Sequence, residues 1–294
     1  MHAMALEAYI VAGDTYTRCA RAQDVIDGSN PSVKRRKRSI VVPTVCVGNV
    51  AQLAVDLLLA GIRQRVEHVA MLRHPLVLPC FGVNPYVPRE GAGGITSHAA
   101  HPLDLYRLVT SEGGDGVDVR DVYVVQQRAP ASAGCQAAFS GDLMAWVREA
   151  GFDEVWILGS LSAEYRKDRD ITLAPAEEVK YVCGHESGMG SRCAGAGMSR
   201  LGTEYGEIEH SEEVLMPWAL MKAAGVTVDG TGGAASGGVG GVAEAEAGGV
   251  PAAAVLRFVM EGDNRVDAVI MARAVGQLLG VEVSARVPSS WAVE

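Results

Sequence analysis

The sequence predicts an α/β protein, a single domain in which helices flank a central β-sheet. The strongest observation lies inside Ser39–Gly61, where a β-branched apolar run gives way at Gly48-Asn49 to apolar residues spaced i, i+3, i+4, i+7 and i+8. That change of period is typical of a buried strand followed by an amphipathic helix. A second unit follows, with predicted strands at Val119–Gln127 and Val155–Leu158 on either side of a helical segment. Strand–helix–strand units of this kind build layered α/β folds.

Composition and charge narrow the class of protein. The chain has 294 residues, of which 48% are apolar, and a net charge of −9 at pH 7. Such an acidic chain is not expected to bind nucleic acid or an anionic membrane surface, and no apolar run has the roughly 18–20 residues of a membrane helix. The six cysteines are scattered without a C-x-x-C pair, which argues against a zinc or disulfide scaffold. We therefore expect a soluble, intracellular protein without a cofactor.

The N-terminal half contains a lead-in and two further predicted strands. Residues 1–38 are polar and rich in turn formers, so a poorly ordered segment is predicted. It ends in five consecutive cations, Lys34–Arg38, for which a solvated loop is favoured over a nuclear-import signal. His68–Leu72 is predicted to be a strand followed by a Pro- and Gly-rich loop, and a weaker signal at Leu105–Val109 predicts another.

The C-terminal half is predicted to contain one more strand and three helices. The strand is Glu178–Cys183, and a glycine-rich loop follows it. Helices are predicted at Glu212–Ala224, Ala252–Glu261 and Val266–Leu279, the last two as an antiparallel pair. Between about residues 225 and 249 the composition collapses to Gly, Ala, Val and Ser, which predicts a disordered insertion.

Two turns are candidates for ligand binding, because open α/β sheets bind ligands beyond the carboxyl ends of their strands. Gly48-Asn49 could hold a phosphate at a helix N-terminus. The dinucleotide fingerprint and the P-loop lysine are absent, however, so a structural turn with Asn49 as helix cap is favoured. Gly159–Ser162 lies just past a predicted strand. Ser160 and Ser162 stay open as nucleophiles, although no G-x-S-x-G elbow is present.

Metal-ligand spacings in the sequence are few. His98 and His101 have the i, i+3 spacing of a ligand pair, but a surface loop is favoured there. Cys183, His185 and Cys193 could form a cluster, yet reduced thiols are favoured over it. The sequence therefore predicts no catalytic, cofactor-binding or metal-binding residue.

Four stretches, in order along the chain, carry a resemblance to a known family: Val42–Asp56, Gly82–Tyr86, Val255–Asn264 and Val287–Trp291. With a similar pattern at 126–162, the chain resembles the proteasome assembly chaperones over about residues 39–291. The resemblance leaves out the lead-in and the glycine-rich insertion. It implies one α/β domain whose topology is akin to nucleoside phosphorylases but without catalysis.

The resemblance also implies partners and a role. It implies a heterodimer with a sister subunit, proteasome assembly chaperone 1, in the cytoplasm and nucleus. That pair is expected to scaffold the ring of proteasome α subunits and to prevent half-built rings from associating wrongly. The alternative is a phosphorylase- or hydrolase-like enzyme that acts at the carboxyl ends of the strands.

A subunit of a permanent heterodimer is expected to expose an apolar patch when it is alone. The first helix and the C-terminal helices carry more apolar residues than one buried stripe needs, so their outer faces are the predicted patch. The candidate partner-binding residues are Val55, Leu59, Ile270, Met271, Val275 and Trp291. In the tail, residues 292–294, Val293 stands where related chaperones have a tyrosine that inserts between α subunits. The sister subunit is therefore expected to supply that contact.

Overall fold

A mixed ten-stranded sheet forms the centre of the molecule. The computed structural model describes residues 5–12, 15–27, 36–61, 65–83, 99–109, 120–171, 178–184, 188–210, 215–228 and 249–284, together with Pro288 and Trp291. The strands are β1 (Glu7–Ala12), β2 (Thr15–Arg18), β3 (Lys37–Pro43), β4 (Arg65–Arg73), β5 (Gly82–Val83), β6 (Ala99–Ala100), β7 (Leu103–Val109), β8 (Arg120–Gln127), β9 (Glu154–Ser162), β10 (Val179–Cys183), β11 (Ser199–Arg200) and β12 (Ala252–Val259). The helices are α1 (Ala22–Asp27), α2 (Val50–Gly61), α3 (Gln136–Glu149), α4 (Met189–Gly195), α5 (Leu215–Ala223) and α6 (Arg265–Leu279).

The sheet is open, with the strand order β11-β10-β12-β9-β3-β8-β7-β4-β1-β2. The four strands β12, β9, β3 and β8 run parallel in the middle. β10 is antiparallel to β12, β7 is antiparallel to β8 and β4, and β1 is antiparallel to β4 and β2. β5 and β6 form a separate two-stranded pair.

Helices cover both faces of the sheet and bury two apolar cores. α1, α3 and α5 pack on one face, whereas α2, α4 and α6 pack on the other. Side chains along β3 alternate between the two faces of the sheet and so contribute to both cores. Ile40 and Val42 lie in the core under α1, α3 and α5, and Val41 lies in the core under α2, α4 and α6. β9 and β12 are buried along their whole length, as expected for strands covered on both faces. None of the described helices combines the length and the hydropathy of a bilayer-spanning segment.

The predicted fold class is confirmed: a single sheet is flanked by helices. β3 with α2, and β8 with α3 and β9, form the two predicted strand–helix units. β4, β7, β10, α5 and α6 also lie where a strand or a helix is predicted, with ends that differ by a few residues. These are the segments in which an apolar run or a clear helical period marks the element.

One predicted helix is wrong, because most of Ala252–Glu261 forms strand β12, which pairs with β9 and β10. All eight residues of this strand are buried, so neither side of the strand faces solvent. Apart from Arg257, whose buried side chain pairs with Glu178 and Asp267, the run is apolar. Such a run has neither the helical nor the strand period, and its alanines favour a helix. The expected antiparallel helix pair does not exist, and α6 packs beside α2 instead.

Three further segments differ from expectation where the structure describes them. The predicted lead-in contributes β1, β2, α1 and the first residues of β3, and β1 pairs with β4. The glycine-rich stretch after β10 contains helix α4. At the start of the predicted insertion, Val226 and Val228 are buried, whereas residues 229–248 and the tail 292–294 lie outside the described residues.

Candidate interaction surface at the carboxyl edge of the sheet

The carboxyl ends of six strands lie along one edge of the sheet, here called the carboxyl edge. β3, β8, β9 and β12 are parallel, and β4 has the same direction because β7 runs antiparallel to both β4 and β8. β2 has this direction too, because β1 runs antiparallel to both β4 and β2. The two turns that the sequence marks for ligand binding, Gly48-Asn49 and Gly159–Ser162, follow or belong to strands that point toward this edge.

The turn after β3 is covered by a side chain from the turn before α6. Gly48 has a left-handed backbone, with a φ of 63°. The Asn264 side chain lies over it so closely that a Cβ atom on Gly48 would be 2.7 Å from Asn264 Cγ. Asn264 Nδ2 donates to the carbonyl oxygens of Met260 (2.9 Å) and Gly262 (3.1 Å). The space over Gly48 is therefore filled by protein.

Asn49 does not have the predicted capping role. Its backbone N–H donates to the Cys46 carbonyl oxygen at 3.0 Å, and its side chain makes no hydrogen bond with the described part of the chain. α2 begins instead after a 3-10 turn, Val47–Asn49. Asparagine suits this position for another reason: φ is 53°, and asparagine tolerates positive φ better than most residues.

The second turn lies inside a strand rather than beyond it, because β9 continues to Ser162. Gly159 allows α5 to approach the strand, since a Cβ atom there would be 3.0 Å from the ring of Pro217. Ser162 Oγ accepts a hydrogen bond from the Glu164 backbone N–H at 3.4 Å and caps a short 3-10 turn. Gly159–Ser162 thus has a packing role.

Ser160 is fully buried, and its Oγ donates to the Val47 carbonyl oxygen at 2.6 Å. Among the described residues, no histidine or carboxylate hydrogen-bonds to this hydroxyl. Burial raises the pKa of the adjacent Cys46 thiol, although hydrogen bonds such as that with Ser160 oppose it. Neither side chain is therefore activated as a nucleophile in this arrangement.

A shallow, open cleft of about 260 Å³ lies beside the Gly48 turn. Its walls come from the segments after β3, β8 and β12 and from α3 and α5. It is lined by Val45, Cys46, Val47, Pro130, Ala131, Gln136, Met216 and Glu261. Because most of the lining is apolar and the cleft is open, it suits a side chain of a protein partner better than an enclosed small molecule.

Large apolar side chains are concentrated in the segments around this cleft. Eight large apolar side chains are exposed in the described part of the chain. Six follow carboxyl ends of strands, and we call them the carboxyl-edge surface: Leu78 and Phe81 after β4, Tyr165 and Ile171 after β9, and Met260 and Val266 after β12. Phe81, Val266 and Met260 are 75%, 70% and 63% exposed. Exposed apolar groups gathered on one side of a molecule are typical of an interaction surface.

The residues predicted to bind a partner do not belong to this surface. Val55, Leu59, Met271 and Val275 are buried, and Ile270 and Trp291 are half-buried against the same core. α2 and α6 pack side by side on the sheet, so the faces expected to be exposed are covered by each other and by the strands. The predicted exposed patch on these helices is therefore wrong. Partner contact through the remaining surface of Ile270 and Trp291 stays a prediction.

His101, one of the two histidines with metal-ligand spacing, does not lie on the expected surface loop. It is buried instead, and its ring lies beside His68 and Asp104. The other member of the predicted pair, His98, lies outside the described residues.

The cysteine candidates are buried free thiols, Cys183 and Cys193, while His185 lies outside the described residues. Burial, together with the nearby Cys183, raises the pKa of Cys193 to about 12. A thiol of that kind is a poor nucleophile and a poor ligand.

Comparison with known sequences identifies relatives along most of the chain. A sequence model of the PAC2 family matches residues 40–284. A protein of Nematostella vectensis named proteasome assembly chaperone 2 is 32% identical over 137 residues, which cover 47% of this chain and 51% of that protein. The protein of the same name from Danio rerio is 26% identical over 267 residues, which cover 86% of this chain and 89% of that protein. The match with the human protein of that name spans 47% of each chain at 26% identity. The chain thus spans about half the length of the first and third of these relatives and most of the second.

Solved structures share the fold. Pyrococcus furiosus PbaB, described as an archaeal proteasome activator, superposes with a TM-score of 0.52 at 14% identity, covering 87% of this chain and 88% of that chain. Pyrococcus furiosus PbaA, described as an archaeal homolog of proteasome-assembly chaperone, gives a TM-score of 0.50 at 14% identity over 87% of each chain. Because the family match extends over most of the sequence and the solved structures have the same open sheet flanked by helices, the chain belongs to the PAC2 family.

Proposed function

We propose that this chain is a non-enzymatic assembly chaperone that pairs with a sister subunit of the proteasome assembly chaperone 1 kind. As that heterodimer it scaffolds the ring of proteasome α subunits and keeps half-built rings from associating wrongly. The observation that carries the proposal is the family match over residues 40–284. Relatives named proteasome assembly chaperone 2 support it, one of them aligned over 86% of this chain.

The chemistry of the carboxyl edge favours a protein partner over a small substrate. A phosphorylase- or hydrolase-like enzyme needs an accessible nucleophile or anion-binding turn. Here the Ser160 hydroxyl is buried and donates to a backbone carbonyl, and Asn264 fills the space over Gly48. A protein partner instead needs apolar surface to bury, which the six residues of the carboxyl-edge surface supply.

We assign the contact with the sister subunit to the carboxyl-edge surface. From β4 to β12 this edge spans five inter-strand spacings, about 24 Å, which matches the width of an interface that buries about 800 Å² on each partner. Phe81 and Val266 stand near its two ends, and the cleft between them can accept an apolar anchor of the partner. The exposed Asp263 and Arg265 add polar groups at the rim.

The experiment measures pairing by size-exclusion chromatography with light scattering. The chain alone is expected to self-associate, and the chain co-expressed with its sister is expected to run as a one-to-one complex. Met260→Asp and Val266→Asp should each weaken pairing at least about tenfold, because a buried, unpaired carboxylate is costly, while changing thermal stability little. Ile10→Asp is the matched control, since Ile10 is an exposed apolar residue outside this surface.

Three results would count against these proposals. A well-behaved monomer that ignores both the sister subunit and the α subunits would refute the chaperone function, and measurable turnover of a nucleoside or ester substrate would reopen the enzyme hypothesis. Normal pairing of both Asp variants would refute the surface assignment. If these variants instead lost α subunits, the same surface would belong to the α-ring contact.

We also propose that the chain works in both cytoplasm and nucleus. Part of the cationic run is used by the fold: Lys37 lies in β3, with its Nζ 3.2 Å from Glu154 Oε2. Replacing Lys34 and Arg35 by alanine in a fluorescently tagged chain should therefore leave its distribution unchanged. Loss of the nuclear fraction would identify an import signal.

A further inference from the structure

A buried group of two histidines and one aspartate lies at β4 and β7, on the same side of the sheet as α2. His68 Nε2 and His101 Nδ1 are 2.8 Å and 2.9 Å from the same carboxylate oxygen, Asp104 Oδ1. The other oxygen, Oδ2, accepts from the His101 backbone N–H at 2.8 Å. The side chains of His68, His101 and Asp104 are 8%, 1% and 2% exposed. The three potential ligand atoms all lie within 4.8 Å of one another.

We propose that His68, His101 and Asp104 bind a divalent transition-metal ion, with Zn²⁺ as the expected ion. Two imidazole nitrogens and one carboxylate oxygen form a ligand set that zinc uses in proteins, with water in the fourth position. In tetrahedral coordination with bonds of about 2.0–2.1 Å, the ligand atoms are about 3.3 Å apart. The two N···O contacts therefore need to open by about 0.5 Å, and the two nitrogens, which lie within 4.8 Å of each other, need to reach the same separation.

The charge of the group favours a cation. An aspartate side chain is ordinarily ionised at neutral pH, and within the described chain no Lys or Arg side chain forms an ion pair with that of Asp104. A buried anion is costly without a full counter-charge, which a divalent ion would supply.

The hydrogen bonds around the group are compatible with metal entry. Because an ionised carboxylate only accepts, both rings donate to Asp104, and His101 Nε2 then accepts from the Tyr16 hydroxyl at 3.1 Å. When Nδ1 of His101 binds the ion, its proton moves to Nε2 and the Tyr16 oxygen becomes the acceptor. Metal-binding histidines usually have such a partner on the second nitrogen. Tyr16 is thus a positioning residue for His101 in both states.

The ion would also hold one end of the carboxyl-edge surface. The Phe81 ring packs edge-on against the His101 ring, with 5.8 Å between their centroids. Fixing His101 between β4 and β7 would restrain this exposed phenylalanine. The proposed metal is therefore structural, since it joins two strands and the segment that carries Phe81.

The test uses the full chain after removal of metal with a chelator. Addition of Zn²⁺ should give one bound ion per chain by elemental analysis after gel filtration and should raise Tm by roughly 5 °C when the metal is in large excess over its dissociation constant. Co²⁺ should give the intense visible absorption of a tetrahedral site. Asp104→Asn and His68→Gln should abolish both signals. His74→Gln should keep them, because His74 pairs with a different carboxylate, that of Asp142.

Asp104→Asn and His68→Gln change buried side chains and so can impair folding. Tyr16→Phe provides a test that avoids this problem, because Tyr16 is 48% exposed and its substitution is expected to leave folding intact. Loss of its hydroxyl should weaken metal affinity about 10- to 100-fold with little change in the stability of the metal-free chain. Failure of the unmodified chain to bind Zn²⁺ or Co²⁺ at one equivalent would overturn the proposal. So would binding that survives Asp104→Asn, because the ion would then lie elsewhere in the chain.

Discussion

Asn264 covers Gly48 and thereby joins the turn after β3 to the turn before α6. The contact requires glycine for two reasons. The φ of 63° is a left-handed conformation, and a side chain at this position would collide with Asn264. The two turns carry the cleft residue Val47 and the exposed Met260, so this one contact sets the relative position of both.

Gly48→Ala is expected to destabilise the chain by about 2–3 kcal/mol. The left-handed backbone costs an alanine about 1 kcal/mol, and displacement of Asn264 loses two hydrogen bonds worth about 1 kcal/mol each at most. Gly134→Ala is the matched control: its φ is 77°, but nothing lies within 4 Å of an added Cβ, so about 1 kcal/mol is expected. Urea unfolding measures both variants.

A double-mutant cycle isolates the contact between the two turns. In the background of Asn264→Ala, the further cost of Gly48→Ala should fall toward that of Gly134→Ala, because the colliding side chain has gone. Equal costs of Gly48→Ala in the two backgrounds would show that only the backbone conformation matters.

At the scale of elements, one carboxylate holds two strands and a helix together. Glu154, at the start of β9, accepts from Ser39 Oγ of β3 at 2.6 Å and from the Trp156 ring at 3.1 Å. Its other oxygen accepts from Arg192 of α4 at 2.7 Å, and the Arg192 guanidinium lies 4.7 Å from the centroid of the Trp156 ring. Burial alone would raise the pKa of Glu154, but these hydrogen bonds and the charge of Arg192 lower it to about 2.

Folding stability should therefore fall in acid through Glu154. A lowered native pKa stabilises the fold above the unfolded-state value near 4.5, and that stabilisation, on the order of 3 kcal/mol, is lost as pH falls from about 4.5 to about 2. Glu154→Gln should lower Tm at pH 7 and flatten its dependence on pH in that window. Glu282→Gln, an exposed site, should follow the unmodified chain. Parallel pH profiles for all three proteins would contradict this role.

Most elements could be predicted from the sequence, because one buried face gives a helix or a strand its period, as in β3 and α2. The same reasoning fails for β12, because burial on both faces removes the alternation that distinguishes a strand. It also fails for α4, since Gly190 and Gly195 conceal a seven-residue helix. In both cases the elements packed around the segment decide its structure.

The proposed interaction surface is harder to predict than the fold. The sequence marks strand ends as candidate ligand sites, but Leu78 and Met260 lie in connections after strands, where no periodicity marks an exposed apolar residue. The excess apolar residues of α2 and α6 were real, but each helix covers the other. The grouping of His68 with Asp104 depends on the pairing of β4 with β7, across 36 positions of sequence.

For the whole molecule, the glycine-rich segment between α5 and β12 should be dispensable. Its flanks are anchored independently, by the buried Val228 on one side and by β12 in the sheet on the other. Closing a loop depends only weakly on its length, so a shorter connection costs little. Replacing residues 229–248 by a ten-residue Gly/Ser linker should leave Tm and pairing with the proposed sister subunit unchanged. An insoluble product, or a chain that no longer pairs, would reveal a structural role for the segment.

The β1–β2 hairpin lies outside the family match, yet it covers the end of an outer strand of the sheet. β4 has nine residues, and β1 pairs with the last three of them, Met71–Arg73, with the four-residue β2 outside β1. Without the hairpin, this end of β4 would also present unsatisfied N–H and C=O groups to any other extended chain. Cleavage in the segment before β3, followed by loss of the hairpin, would therefore expose the edge of β4. That edge could then pair with strands of neighbouring molecules. A segment outside the family match would then decide whether the protein stays dispersed or forms aggregates.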